Sequence, residues 1–249
     1  MEKTRVSVVS YLNSKPFLYG LQNSGIADEM VITSDIPSKV AAKLAFNQTD
    51  IGLIPVAGLA DLAEFHIVGD YCIGAVGKVK TVVLASEVPV SEVDTILMDY
   101  QSRSSVLLTK VLAQYWWKKD FSWKNTCDDF HTTSIKQQTA GVVIGDRVFE
   151  IENKYPFIYD LSEEWQRFTG LPFVFAVWAA NKKINPEFEG KFNMALEFGL
   201  KNIDTVTQLE QQNYRGVDIA GYFSQNISFE FDKQKRDGMN LFLELARKL

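Results

Sequence analysis

The sequence predicts an α/β protein of two lobes. Short apolar, β-rich runs alternate with amphipathic helical segments from the first residues onward. A length of 249 residues suits one large domain or two smaller lobes. The middle of the chain is bounded by two apolar β runs through which it can leave the first lobe and return. On this reading residues 1–88 and 180–249 form one lobe and 89–179 the other, joined by two hinge strands. The loops that follow the strands then face a ligand cleft between the lobes.

Arg5 to Ser10 reads as a strand, and YLNSKPFLYG after it as a loop entering a helix. Ile36, Val40, Ala41 and Leu44 recur at helical spacing, with Pro37 suited to the first turn. Asp50 to Val56 reads as a short buried strand, and Tyr71–Val76 and Lys78–Ala85 as two further β runs. SEVPVSEVD is expected to be a linker. Thr95 to Asp99 is the next strand, and Ser102 to Ser105 opens a helix with Leu108, Val111, Leu112 and Tyr115 on one face. Ala140 to Ile144 is a strand, followed by a short helix over Arg147 to Glu152 capped by Asp146. Phe157 to Tyr159 reads as a strand and Leu161 to Phe168 as a helix closed by Thr169-Gly170. Leu171 to Ala180 is a central strand. From Pro186 the pattern is almost wholly helical, ending in a helix with Met239, Phe242, Ala246 and Leu249 on one face.

Composition excludes several classes. Hydrophobic residues make up 46% and charged residues 23%, which is ordinary for a soluble domain. A net charge of −5 without a Lys/Arg stripe gives a nucleic-acid backbone little to hold, so no nucleic-acid partner is expected. Cys72 and Cys127 lie far apart with only His66 and His131 as nitrogen partners, so free thiols are expected rather than a metal site. No signal peptide and no apolar run of membrane-spanning length is visible, so a cytoplasmic protein without a membrane partner is expected. No Walker loop and no GxGxxG occurs, so no nucleotide cofactor is indicated. Neither histidine stands near a nucleophile motif.

The loops after strands hold the candidate chemistry. Ser102, Arg103, Ser104 and Ser105 at a helix start offer hydroxyls, backbone N–H groups and the positive end of the dipole, which suits a carboxylate or phosphate. The plainer reading is an N-cap with serines in the first turn. Tyr11 offers an aromatic wall, and Asn13 and Ser14 offer hydrogen bonds, although Asn, Ser and Pro are also common turn formers. Thr169 and Gly170 reach a ligand or simply close a helix. Gly145 and Asp146 bind or cap. His131 is a titratable candidate or a solvated loop residue. Trp116-Trp117 beside Lys118-Lys119 reads as an amphipathic helix end.

Five segments in order carry a family resemblance: SYLNSKPF at Ser10–Phe17, DIGLIPV at Asp50–Val56, SRSSVLL at Ser102–Leu108, IGDRVF at Ile144–Phe149 and DLSEEWQRFTGLPFVFAVW at Asp160–Trp178. Together they resemble chorismate dehydratase of the futalosine menaquinone pathway, the MqnA family. The resemblance covers about Arg5 to Trp178, while the helical tail fits by length and character.

The resemblance implies a type II periplasmic-binding-protein-like fold and a reaction that removes water from chorismate, with no cofactor. Chorismate is then the small-molecule partner, and the oligomeric state stays open. Asn13 is the implied catalytic residue. Tyr11, Ser14, Ser86, Ser102, Arg103, Ser104, Ser105, Gly145, Asp146, Thr169 and Gly170 are the implied substrate contacts, Ser86 lying in the expected hinge. No matched motif supplies a histidine or paired carboxylates as base, and the resemblance implies the substrate's own enolpyruvyl carboxylate for that task. Two alternatives share the fold: the sister synthase of 1,4-dihydroxy-6-naphthoate and a non-catalytic solute receptor. SYLNSKPF differs from the Cys/Pro/Asn/Asp-rich start expected of the sister enzyme. Two departures from the family pattern are Ser104, where Thr is frequent, and Arg147, where a small residue is more usual.

Overall fold

The computed structural model describes residues 3–127, 132–151 and 153–249. In chain order the elements are β1 (Thr4–Val9), α1 (Lys15–Asn23), β2 (Met30–Asp35), α2 (Pro37–Ala45), β3 (Ile51–Pro55), β4 (His66–Ala75), β5 (Val82–Ser86), β6 (Thr95–Met98), α3 (Ser104–Leu112) and β7 (Ser122–Asn125). They continue with β8 (Thr139–Ile144), β9 (Phe157–Asp160), α4 (Leu161–Thr169), β10 (Phe173–Ala180), α5 (Pro186–Lys201), α6 (Ile203–Glu210), α7 (Ile219–Gly221), β11 (Ser228–Glu230) and α8 (Lys233–Ala246). The chain divides into two compact units, Met1–Gly74 with Val174–Asp232, and Ala75–Phe173 with Lys233–Leu249.

The first unit is built on a six-stranded sheet of order β11-β4-β10-β3-β1-β2. β1 runs parallel to both β2 and β3, and β10 antiparallel to β3. All eight residues of β10 are buried, which is why FVFAVWAA reads as a continuous apolar run rather than an alternation. Phe17 of α1 meets the rings of Trp178 and Phe229 edge-on at 5.8 and 5.3 Å. α1 and α5 touch backbone to backbone. A Cβ on Gly20 would lie 2.0 Å from the Ala195 carbonyl oxygen, and one on Gly199 would lie 1.9 Å from that of Pro16. Only glycine at both positions lets the two helices approach this closely, and α1 is thereby fixed directly behind the turn that follows β1.

At the opposite, amino-terminal end of this sheet, Asp50 takes hydrogen bonds from the backbone N–H of Arg5 at 2.9 Å, from its guanidinium at 2.9 and 3.1 Å, and from Lys182 at 2.7 Å. Arg5 and Lys182 hold the Asp50 carboxyl well below the usual carboxylate range, against the opposing effect of burial.

The second unit has a five-stranded sheet of order β7-β6-β8-β5-β9. β6 is parallel to β7 and β8, and β5 is antiparallel to β8 and β9. α3, α4 and α8 pack together in this unit. Trp165 of α4 is fully buried and meets Phe173 at 5.6 Å and Phe242 at 6.1 Å. Its neighbour Glu164 accepts hydrogen bonds from the indoles of Trp116 and Trp117 at 2.8 and 2.9 Å and from Arg167 at 3.0 Å. The tryptophan pair is therefore a structural clamp on a buried carboxylate.

Several expectations change. The units part at Gly74 and Phe173 rather than at 88 and 180, because β5 pairs with β8 and β9 inside the second sheet. SEVPVSEVD is accordingly no linker between lobes but the connection from β5 to β6. The last helix belongs to the second unit, so the chain crosses three times rather than twice, the third time after Asp232. Met239 and Phe242 are buried there, and Gly238 comes so close to the Pro172 carbonyl oxygen that a Cβ would lie 2.3 Å from it. Leu249 lies beyond the helix and is exposed. The turn after β8 is a 3-10 helix over Gly145–Glu150 whose N-cap is Ile144, so Asp146 sits in the first turn and does not cap it. Glu152 and His131 lie outside the described residues. β2, β7 and β11 had no clear signature: β2 and β7 are sheet edges with mainly solvent-accessible residues, and β11 is three residues long.

Two outcomes follow from these contacts. Gly199→Ala forces α1 and α5 apart and lowers unfolding free energy by about 1–3 kcal/mol, read from urea denaturation. Asp50 has a folded-state pKa below its unfolded value, so its stabilising contribution is complete above the ordinary carboxylate range and is lost as pH falls toward the folded value. Acid unfolding of the wild type therefore steepens below about pH 4, whereas Asp50→Asn is less stable at neutral pH and loses stability less steeply on acidification.

Candidate functional site

Parallel strands deliver their connecting loops to one edge of a sheet, and in α/β proteins that carboxyl edge is where ligands are held. Each unit has such an edge.

In the first unit, β1 ends at Val9 and the chain turns through a 3-10 segment, Leu12–Ser14, into α1, with Pro16 in the helix's first turn. The Ser14 hydroxyl is buried and directed back to the carbonyls of Val9 and Tyr11, the latter at 2.8 Å. Its single proton is therefore spent on the turn. Lys15 is paired with Glu210 at 3.1 Å. Tyr11 is half-buried beside them. Asn13 is half-buried, and its carboxamide makes no hydrogen bond with the described residues. Two donors and an acceptor are thus unspent on the edge, in a turn whose other polar groups are occupied.

In the second unit, the carboxyl ends of β6 and β8 lie side by side, with Leu97 in register with Gly141. Asp99, directly after β6, is 2% exposed. It accepts the N–H of Gln101 at 3.0 Å, the N–H of Ile144 at 3.2 Å and a hydrogen bond from the Arg147 guanidinium. Burial pushes the Asp99 carboxyl up, opposed by Arg147 and the two amides. The same carboxylate thus ties the end of β8 to the turn that opens α3. In that turn the Ser102 hydroxyl accepts the N–H of Ser105 at 3.0 Å, while Arg103 stands at the exposed N-cap. Ser104 and Ser105 are buried in the first helical turn. Gly145 leaves β8 in the left-handed region at φ 68° and donates its N–H to the Thr81 carbonyl at 2.8 Å. A residue with a Cβ is strained there. Asp146 and Arg147 follow it, both half-buried.

Ser102–Ser105, Gly145, Asp146 and Arg147 are therefore brought to one edge, as the alternation of strands and helices implies. Three other candidates are not placed there by any contact. Ser86 is at the other end of the sheet: β5 runs antiparallel to β8, so Val82 pairs with Ile144 while Ala85 pairs with Gly141. Its hydroxyl is fully buried and accepts the N–H of Val88 at 3.2 Å. The Thr169 hydroxyl donates to the Trp165 carbonyl at 2.9 Å and accepts the N–H of Leu171 at 3.1 Å. Gly170 ends α4 at φ 75°, the left-handed closing residue that the sequence predicts. These three carry out local structural tasks.

Asp99 and Asp160 are not among the candidate site residues of the sequence, yet both are buried carboxylates at strand ends. Asp160 caps α4 through the N–H groups of Ser162 and Glu163 at 3.0 and 3.1 Å and accepts that of Lys80 at 2.7 Å, while burial pushes its carboxyl up. The available signal was a lone acid ending an apolar run, TILMD in one case and FIYD in the other.

The chain resembles solved structures of low identity over nearly its whole length. A protein of Archaeoglobus fulgidus matches with a TM-score of 0.78 at 15% identity, covering 99% of this chain and 97% of that one. A Candida albicans protein described as having the generic periplasmic binding protein fold matches at 0.65 and 14%, covering 100% and 91%. The periplasmic aliphatic sulphonate binding protein of Escherichia coli matches at 0.59 and 13%, covering 98% and 92%. The fold is thus periplasmic-binding-protein-like, with two α/β lobes. Among the described residues no helix is long and apolar enough to cross a membrane. The family described as menaquinone biosynthesis matches residues 4–248, and the chain belongs to that family.

Proposed function

We propose that the protein is a chorismate dehydratase, a hydro-lyase that converts chorismate to 3-[(1-carboxyvinyl)oxy]benzoate and water on the futalosine route to menaquinone. The family's role in menaquinone biosynthesis supports the pathway. One observation carries the reading further: SYLNSKPF, the first segment of the resemblance, folds into a turn that spends its Ser14 hydroxyl and its lysine and leaves the Asn13 carboxamide unspent.

The reaction takes a proton from the ether-bearing ring carbon and expels the neighbouring hydroxyl as water, and the ring becomes aromatic. Chorismate brings two carboxylates. The positive end of the α3 dipole, with Ser102 just before the helix and Ser104 and Ser105 in its first turn, suits a carboxylate. Asn13 orients the departing hydroxyl or the enolpyruvyl carboxylate, and Tyr11 supplies an apolar wall. At the start of α3, Asp99 accepts three hydrogen bonds, and Asp146 also has a partner. As the family resemblance implies, the enolpyruvyl carboxylate of the substrate takes the ring proton itself, and the protein contributes orientation and exclusion of water.

A second reading, a solute-binding protein without turnover, is favoured by one finding, the likeness in fold to periplasmic binding proteins. A single experiment separates the two. Purified, metal-free protein incubated with chorismate is expected to give, by mass spectrometry, a product lighter by one water. Chorismate retained unchanged on folded protein sinks the dehydratase and leaves the receptor. Given turnover, Asn13→Ala is expected to lower kcat by about tenfold to a hundredfold with an unchanged melting temperature, because misorientation rather than unfolding is its defect. Full turnover in that variant removes Asn13 from the mechanism.

A further inference from the structure

We propose that Arg147 is a specificity-determining residue that receives a substrate carboxylate at the carboxyl edge of the second unit, with Asp99 as the positioning residue that holds it there. This takes from the dehydratase reading only the identity of the substrate; the placement of the cation comes from its own contacts.

The guanidinium is held on one side. One terminal nitrogen donates to Asp99, and the guanidinium carbon stands 5.8 Å from the centroid of the Tyr100 ring. Among the described residues it makes no other hydrogen bond, and its Nε is buried without an acceptor. A guanidinium offers five N–H donors in a planar fork, and an arginine whose whole task is to neutralise a carboxylate commonly engages it with two parallel bonds. Here a single bond is made. Asp99 has no need of the second, because the amides of Gln101 and Ile144 already share its neutralisation. Part of the guanidinium's field and most of its donors are left for another anion, and the side chain keeps 28% of its surface accessible.

Position favours the same assignment. Arg147 follows Gly145 at the end of β8, and Asp99 leads through Gln101 into Ser102–Ser105. The cation and the start of α3 are therefore fixed to one carboxylate on one edge of the sheet. A substrate with two carboxylates needs two such points to be oriented, and the Tyr100 ring restricts the guanidinium plane as a clamp does.

The test compares wild type, Arg147→Gln, Arg147→Lys and Asp99→Asn with chorismate and with its ring-carboxylate methyl ester. Arg147→Gln is expected to raise KM for chorismate by about tenfold to a hundredfold, the loss of one charge-assisted hydrogen bond, with kcat changed far less. It is also expected to abolish the preference for chorismate over the ester. Arg147→Lys restores part of the affinity. Asp99→Asn raises KM in the same direction because the guanidinium is no longer held. A lower melting temperature in Arg147→Gln with KM and ester discrimination unchanged would overturn the assignment, since a merely structural ion pair gives that pattern. If the wild type does not dehydrate chorismate, the functional reading fails separately, and Arg147 is then read by nitrogen-15 NMR. A shift of its Nε–H resonance on titration with benzoate, lost in Asp99→Asn, upholds the carboxylate receptor, and an unmoved resonance overturns it.

Discussion

The buried carboxylate of Asp99 is the interaction on which the carboxyl edge of the second unit depends. It stands where an apolar strand ends, and it is kept ionisable in a place that disfavours charge by two backbone amides and a guanidinium. Each donor comes from a different piece of chain: the turn into α3, the last residue of β8 and the short helix after it. Removing the acceptor would leave all three without their partner, a loss that buried polar groups tolerate poorly. The geometry of the serine turn and of Arg147 is therefore one construction with a single centre.

The first unit reaches the same end by different physics. There the carboxyl edge is set by a close helix contact without charge, the approach of α1 to α5 across Gly20 and Gly199. With α1 seated, the turn between β1 and α1 has little freedom, and its hydroxyl and lysine find partners within the unit. Asn13 is the exception. Its half-buried carboxamide has no partner among the described residues.

Hydrogen-bond accounting also separates candidates that look alike in the sequence. Ser14, Ser86 and Thr169 are all small hydroxyl residues beside strands or helix ends, and each spends its hydroxyl on nearby backbone. Trp116 and Trp117, which read as part of an amphipathic helix end, spend both indoles on Glu164. By the same accounting, the Asn13 carboxamide and most of the Arg147 donors have no partner among the described residues.

The sequence by itself determined the alternation of strands and helices, the buried character of β3 and β10, the closing of α4 at Gly170 and the ordered segments by which the family is read. These are properties of local periodicity and backbone preference, which a short window of residues carries. It also determined that Ser102–Ser105 and Gly145–Asp146 follow strands, since parallel strands send their loops to one edge. Only the tertiary structure decided where the units part, because β5 looks equally apolar whichever sheet it joins and its partners, β8 and β9, lie far along the chain. It decided that α8 packs on Trp165 and Phe173, a match of apolar faces that no neighbouring residue announces. It decided, too, that Ser86 sits at the wrong end of its sheet, for strand direction reverses the edge and direction is fixed by pairing. The tie between Asp99 and Arg147 spans 48 residues, and a bond of that reach is visible only once both strand ends stand side by side.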